Sequence, residues 1–347
     1  MPDEPTGLLD RLAQGPVICA EGYLFELERR GFLQAGAFVP EVVVDHPEQV
    51  AQLHRQFVHA GSDVVEAFTY YAHREKLRLI GKEHLLEKLN RDALQIAKEV
   101  ARESSSLLAG DICNTNVFES GNQASADQVR EMFTEQVGWA VDAGVDFVIG
   151  ETFSYAEEAL IALEVVRAAG LPSVITLAIH QEPVTREGWT VAEAGKRIAD
   201  AGADVVGLNC IRGPRTLLPL LEEMVPAVDV PVAALPVPYR THQGEPSFQS
   251  LREHDQPDGH RPFPVALDPF TCTRNDIADF TVAARDLGVA YFGVCCGAGP
   301  HHIRAMAEAL GRTPPASNYT ADMSKHAFLG SDSSLREHNL AFGSEEL

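Results

Sequence analysis

A single α/β domain folded as a (β/α)8, or TIM, barrel is the architecture this sequence predicts. Three observations carry the prediction. Eight short apolar, β-branched runs alternate with amphipathic helical stretches. Several runs are announced by the same Ala-Gly or Leu-Gly pair. No Gly-x-Gly-x-x-Gly turn follows the first run, where a doubly wound sheet, the competing arrangement, would bind a dinucleotide. Continuous apolar runs suit parallel strands buried on both faces, and eight βα units in about 250 residues or more is the count of the barrel.

In chain order the predicted strands are Val17–Ala20, Asp63–Thr69, Leu107–Ile112, Asp146–Glu151, Ser173–Ile179, Asp204–Cys210, Val230–Pro236 and Ala290–Cys295. Helical periodicity places helices over Pro47–Ala60, Glu83–Glu103, Ala126–Ala143, Tyr155–Ala169, Val191–Ala201, Pro214–Ala227, Arg274–Leu287 and Pro300–Leu310. Gly61, Gly144, Gly170, Gly202 and Gly288 each stand where a helix ends, the left-handed position that glycine fills without penalty. Nearly forty residues rich in Pro, His and Gly separate Pro236 from Arg274. Long loops in compact domains are commonly functional, and this one leaves the C-terminal end of strand seven, so it is expected to overhang the active-site face. The expected division is a barrel over residues 1–312 and a C-terminal extension over 313–347 that wraps the barrel and then frays.

The 347 residues carry 28 Lys+Arg against 50 Asp+Glu, a formal charge of −22. That balance argues against nucleic acid or an anionic membrane as partner. No uncharged apolar run reaches the roughly 18 residues of a membrane span. The first residues are acidic and lack a basic-then-apolar leader pattern, so a cytoplasmic location is expected. Disulfides are not expected there, which leaves metal binding, catalysis or burial for the six cysteines.

Three of the six fall together on the barrel prediction. Cys210 ends strand six, and Cys295 and Cys296 end strand eight before Gly297-Ala298-Gly299, whose glycines allow the sharp bend that two vicinal ligands need. Three thiolates make a soft donor set for Zn2+ with one position open. The plainer alternative is small buried hydrophobes. Cys19, Cys113 and Cys272 are solitary and read as buried bystanders. A zinc rich in thiolate is poor at making hydroxide but suits lowering the pKa of an incoming thiol, so alkyl transfer to sulfur is the expected chemistry. Asn209, beside Cys210, is a candidate for orienting a thiolate. Asn114 and Thr115 follow strand three and are expected at the same mouth. For Asn209, as for these two, loop capping is the bland alternative. His301 and His302 open the last helix and read as surface residues.

Gly293-Val294-Cys295-Cys296-Gly297, preceded by Gly207-Leu208-Asn209-Cys210, resembles the zinc signature of the homocysteine S-methyltransferase family. The similarity spans about Leu9 to Pro315 and is nearest to betaine-using members. It includes Phe25-Glu26-Leu27-Glu28-Arg29-Arg30-Gly31, Phe68-Thr69-Tyr70-Tyr71-Ala72 and Pro300-His301-His302-Ile303-Arg304-Ala305. The resemblance implies a catalytic zinc on Cys210, Cys295 and Cys296, homocysteine as acceptor and a small onium compound as methyl donor. It implies that Glu151, with Glu21, holds the acceptor's ammonium group. Tyr71 matches a donor-caging aromatic and Phe38 stands where relatives place a tryptophan; such rings attract onium groups through cation–π contact. Gly22 and Thr152 complete the candidate substrate contacts.

The departures bear on specificity. Ala20-Glu21-Gly22 replaces the family's Asp-Gly, Glu66-Ala67 stands where relatives carry a threonine before Phe68, and Thr152 replaces a tyrosine after the strand-four acid. These keep two alternatives open. One is transfer from S-methylmethionine or S-adenosylmethionine to homocysteine or selenocysteine; the other is a non-catalytic zinc-binding barrel. The tail is shorter than the oligomerising arm of betaine-using relatives, so a homo-oligomer stays open and their tetramer is not carried over.

Overall fold

The computed structural model describes residues 7–254 and 259–346. Eight parallel strands close into a barrel in sequence order: β1 Val17–Ala20, β2 Val64–Glu66, β3 Leu107–Cys113, β4 Phe147–Phe153, β5 Ser173–Leu177, β6 Val205–Asn209, β7 Val232–Leu235 and β8 Val289–Val294. The predicted barrel is the observed one. Helices such as Pro47–Ala60, Leu86–Ser104, Gln123–Ala143 and Arg274–Leu287 form the outer ring. The five glycines at the helix ends all have positive φ, between 73° and 117°.

Several strands are shorter than the apolar runs suggest. Asp63, Asp146 and Asp204, expected to open β2, β4 and β6, lie just before them and engage the preceding strand through side chain as well as backbone: the amides of Asp63 and Asp146 donate to the carbonyls of Ile18 (2.8 Å) and Leu108 (2.9 Å). Their carboxylates accept from the amides of Ile18 (2.8 Å), Leu108 (2.7 Å) and Ser173 (2.9 Å), at the start of the preceding strand. The helix expected from Glu83 begins as a 3-10 turn, Glu83–Leu85, and is regular from Leu86. Over its described length the tail carries regular elements. It makes 3-10 turns and the helix Glu337–Glu346, which its polarity gave no reason to expect, with Phe328 and Phe342 packed edge to face. Among the described residues no helix is long and apolar enough to cross a membrane.

Strand periodicity then divides the core in two. Alternate residues Val17, Cys19, Val64, Leu107, Ala109, Phe147, Ile149, Val174, Val205, Leu235 and Tyr291 fill the barrel interior, and Leu8 from the N-terminal helix closes its base. Their neighbours, such as Ile18, Val65, Leu108 and Val148, face the helices. Continuing the inward series toward the C-terminal ends, by one step on β1 to β5 and by two on β6 and β8 past Gly207 and Gly293, brings in Glu21, Glu66, Asp111, Glu151, Thr176, Asn209 and Cys295. The interior therefore changes from apolar to polar at one level, and that level is the floor of the mouth.

The aspartate clamps give the first prediction. Asp146→Ala leaves the Leu108 amide without its acceptor, so urea denaturation should show a loss of about 1–2 kcal/mol, whereas an unchanged midpoint would mean the clamp contributes nothing.

Candidate metal centre and substrate pocket

Two turns deliver the sulfurs. After β6 the chain enters the left-handed region at two successive residues, Cys210 (φ 56°) and Ile211 (φ 54°). Such backbone costs energy and persists only where the surroundings impose it. Arg212 does so: it is buried, and its guanidinium donates to the carbonyls of Ile179 (3.1 Å), His180 (3.0 Å) and Gln181 (2.8 Å). After β8 the bend falls at Gly297 (φ 93°), where a Cβ would lie 2.3 Å from the Tyr239 hydroxyl. Arg29 holds that bend by donating to the Gly297 carbonyl (3.1 Å) and to Tyr239 Oη (2.9 Å). Gly22 packs on the same bend, with room for no Cβ because the Ala298 carbonyl would be 2.6 Å away.

Cys210, Cys295 and Cys296 are brought together, all buried, with their sulfurs within 4.8 Å of one another. The Cys295–Cys296 separation is 3.9 Å. Zinc–sulfur bonds of about 2.3 Å in a tetrahedron require sulfurs about 3.8 Å apart, so the donor set fits that metal. Contacts with the other two thiols hold the Cys210 thiol well below the ordinary range, while burial pushes Cys295 up and the hydrogen bond with Cys210 pushes Cys296 up. Unaided, the trio favours one thiolate; a cation is what would let all three ionise.

On the barrel side of the sulfurs lies a narrow slot lined by Glu21, Tyr23, Glu66, Asp111 and Glu151, with Cys295 in its wall. Asn209 organises it. Its amide nitrogen donates to Glu151 (2.6 Å) and lies 2.9 Å from Thr152 Oγ1 and 3.3 Å from Glu21, while its oxygen accepts the Thr152 amide (2.9 Å). The same nitrogen is 4.0 Å from Cys295 Sγ. Asn209 thus acts chiefly on the carboxylates rather than on a thiolate. Burial first, then the charge of Cys210, pushes Glu151 up to about 8. Burial first, then neighbouring acids, pushes Glu21, Glu66 and Asp111 well above the carboxylate range. Neither oxygen of Glu66 meets a hydrogen-bond partner among the described residues.

Above the sulfurs the mouth widens into a cavity of about 280 Å³. Phe38 and Tyr71 line it, as do Thr152, Cys210 and Cys296. Tyr71 is not a bare cage wall, because the Lys76 ammonium already lies 3.8 Å over its ring. Tyr70, which sequence reasoning passed over, faces both the cavity and the slot. The long loop after β7 supplies Phe248, Gln249 and Phe263, and Arg186 stands at the rim. These loop residues have no periodicity to betray them. Asn114 lines the cavity and donates to the Thr152 carbonyl (3.0 Å), whereas Thr115 turns away to Glu158 (2.6 Å). His302 corrects the surface reading. It is buried, takes the Gly299 amide on Nδ1 (3.1 Å) and sets Nε2 3.2 Å from the Cys272 carbonyl. Cys19 lies in the barrel interior beside Glu21 and Glu66, and Cys113 accepts the Tyr71 amide (3.2 Å).

The raised acids make a signed prediction. A buried Glu66 keeps its proton in the folded chain but ionises near 4.5 when unfolded. Stability is therefore lost as pH rises above that point, by about 1.4 kcal/mol per pH unit until the folded-state value is passed. Glu66→Gln should raise the melting temperature of the substrate-free protein, by more near pH 8 than near pH 5; a gain that does not grow with pH would contradict this.

Comparison with known proteins gives consistent matches. The profile of the homocysteine S-methyltransferase family matches residues 20–310. Betaine–homocysteine S-methyltransferase 1 of Xenopus tropicalis is 38% identical over 94% of this chain and 80% of its own. S-methylmethionine–homocysteine S-methyltransferase BHMT2 of Rattus norvegicus is 36% identical over 93% of this chain and 86% of its own. Among solved structures, the metallated form of the homocysteine methyltransferase MmuM from Escherichia coli superposes with a TM-score of 0.66 at 17% identity, covering 86% of this chain and 98% of that one, a likeness of fold.

Proposed function

The chain belongs to the homocysteine S-methyltransferase family, and from that premise and the site's geometry we propose that it moves a methyl group from a small carboxylate-bearing onium donor of the betaine type to the thiol of homocysteine, giving methionine, with zinc on Cys210, Cys295 and Cys296. The observation that carries this reading is the meeting of two compartments at the sulfurs. Carboxylates line a narrow slot with Cys295, an aromatic cavity opens against Cys210, and Cys296 faces both.

Each compartment suits one part of the reactants. Glu151, with Glu21, accepts the acceptor's ammonium group, and Asn209 and Thr152 fix the Glu151 carboxylate that does so. An arriving ammonium also favours the ionised form of these acids. Held there, homocysteine extends its thiol toward the cysteines. When bound, zinc on three thiolates supplies a position for the acceptor's sulfur and stabilises it as a thiolate at neutral pH. Phe38, Tyr70 and Tyr71 offer ring surface to the onium group, and Arg186 offers a cation to the donor's carboxylate. Phe248 and Phe263 cover the cavity and keep water from the thiolate. The sulfur lone pair attacks the donor's methyl carbon, the carbon–nitrogen bond breaks, and its electron pair leaves with the dimethylamino product. Orientation of the two reactants supplies most of the acceleration. The catalytic unit is the barrel to residue 312, working in the cytoplasm.

A sulfonium donor is the second reading, favoured by Thr152 in place of a tyrosine and by the S-methylmethionine-using relative. The test is an assay of the zinc-loaded protein with homocysteine and, separately, glycine betaine, dimethylsulfoniopropionate, S-methylmethionine and S-adenosylmethionine. Methionine should form with betaine and fall to background in Cys295→Ala, which should also lose its zinc. Turnover with S-methylmethionine alone would assign the sulfonium donor; no turnover with any of the four would overturn the assignment.

A further inference from the structure

Outside the thiol centre, a second set of metal-type donors converges on the long loop after β7. His242, Glu245 and His254 bring one donor atom each within 4.8 Å of the others. Both imidazoles aim Nε2 at the same carboxylate, His242 at 3.5 Å from one oxygen and His254 at 3.0 Å from the other. Zinc–nitrogen and zinc–oxygen bonds of about 2.0–2.1 Å place donors about 3.3 Å apart; each nitrogen is near that distance from the oxygen it faces, so a single ion would draw on both oxygens of the carboxylate or on a small turn of it. Two histidines and a glutamate are moreover a set that zinc uses, with the remaining positions left to water.

The carboxylate at the centre is held in place before any ion arrives. Glu245 is buried, while the two imidazoles are exposed and reachable. Its backbone exchanges hydrogen bonds with His242 (3.1 and 2.9 Å), so the two side chains project from one tight turn. Its Oε2 accepts the Arg252 amide (3.0 Å), which ties the far side of the loop to the same group. Two imidazoles around one carboxylate also make an unbalanced ion-pair set. Protonated, they bring two positive charges to one negative; neutral, they present lone pairs that a cation can use.

We propose that His242, Glu245 and His254 form a binding site for a borderline divalent cation, zinc by preference, that clips the loop over the mouth. The clip joins the turn at 242–245 to the strand of chain at 254. Between those points lie Phe248 and Gln249, which line the outer cavity, and the Phe248 amide donates to the Ile211 carbonyl (2.9 Å), beside Cys210. The cation is thus structural, fastening the loop that roofs the donor cavity, and its occupancy adjusts how firmly that roof is held. A net charge of −22 favours cation uptake in general. The site does not depend on the thiol centre and shares no ligand with it.

The test is zinc content of the tag-free, full-length protein after equilibrium dialysis against micromolar free zinc. Wild type should hold two ions per chain, His242→Ala/His254→Ala one, and Cys295→Ala one. An anomalous map at the zinc edge should show density between the three side chains. His254→Ala alone, at a largely exposed position, should lose the same single ion and guards against a folding defect. The proposal is overturned if the double variant binds as much zinc as wild type, including the case in which it only changes melting temperature, as plain ion pairing would. Failure of the thiol centre would instead leave wild type and Cys295→Ala with one ion each and the double variant with none, so the difference between wild type and the double variant stays intact.

Discussion

Glu21, Glu66, Asp111 and Glu151 project into the barrel interior, and among the described residues none of them takes part in an ion pair. Removing carboxylates from water without a counter-charge is costly, and the cheapest response is to keep them protonated. The acidic floor therefore sets the terms for the mouth above it. Burial and mutual repulsion favour the protonated form of these acids. Under the proposed function, acids and sulfurs in one mouth match an amino acid that carries its ammonium group at a fixed distance from its thiol.

Asn209 couples the two levels. Its single amide reaches Glu151 and the hydroxyl of Thr152, lies near Glu21, and passes 4.0 Å from Cys295. It is the last residue of β6, so the strand that presents the amide also leads into the left-handed turn that presents Cys210. A shift of that strand end would move the acid and a thiol together. Arg212 and Arg29 each pin one of the two sulfur-bearing turns. The loop after β7 joins the same framework through Tyr239, whose ring fills the space a side chain at position 297 would need.

Much of this was legible in the sequence because it is local. Glycines after helices, apolar runs and the position of Cys210, Cys295 and Cys296 at two strand ends need only nearest-neighbour reasoning. The parity of the strands even foretells which acids face inward, since Glu21 follows Val17 and Cys19 at steps of two. What escaped depends on distant partners. Arg29 meets Gly297 across 268 residues and Tyr239 across 210. His302 is buried because the carbonyl of Cys272 stands behind it, a contact no helix pattern predicts. Asp63, Asp146 and Asp204 read as the first residues of their strands, and nothing local shows that their carboxylates clamp the amides of Ile18, Leu108 and Ser173. Tyr70 escaped because it is one of two adjacent tyrosines, and only the turn decides which of them faces the slot.

The central claim is that Glu151 recognises the acceptor's ammonium group while the cysteines address its sulfur. Competitive binding of homocysteine and 4-sulfanylbutanoate, which differs only in lacking the amino group, tests it most directly. Wild type should prefer homocysteine by roughly 10- to 100-fold, the worth of one charge-assisted hydrogen bond, and Glu151→Gln should abolish most of that preference while binding 4-sulfanylbutanoate as before. A preference that survives in Glu151→Gln would contradict the assignment of the acidic floor.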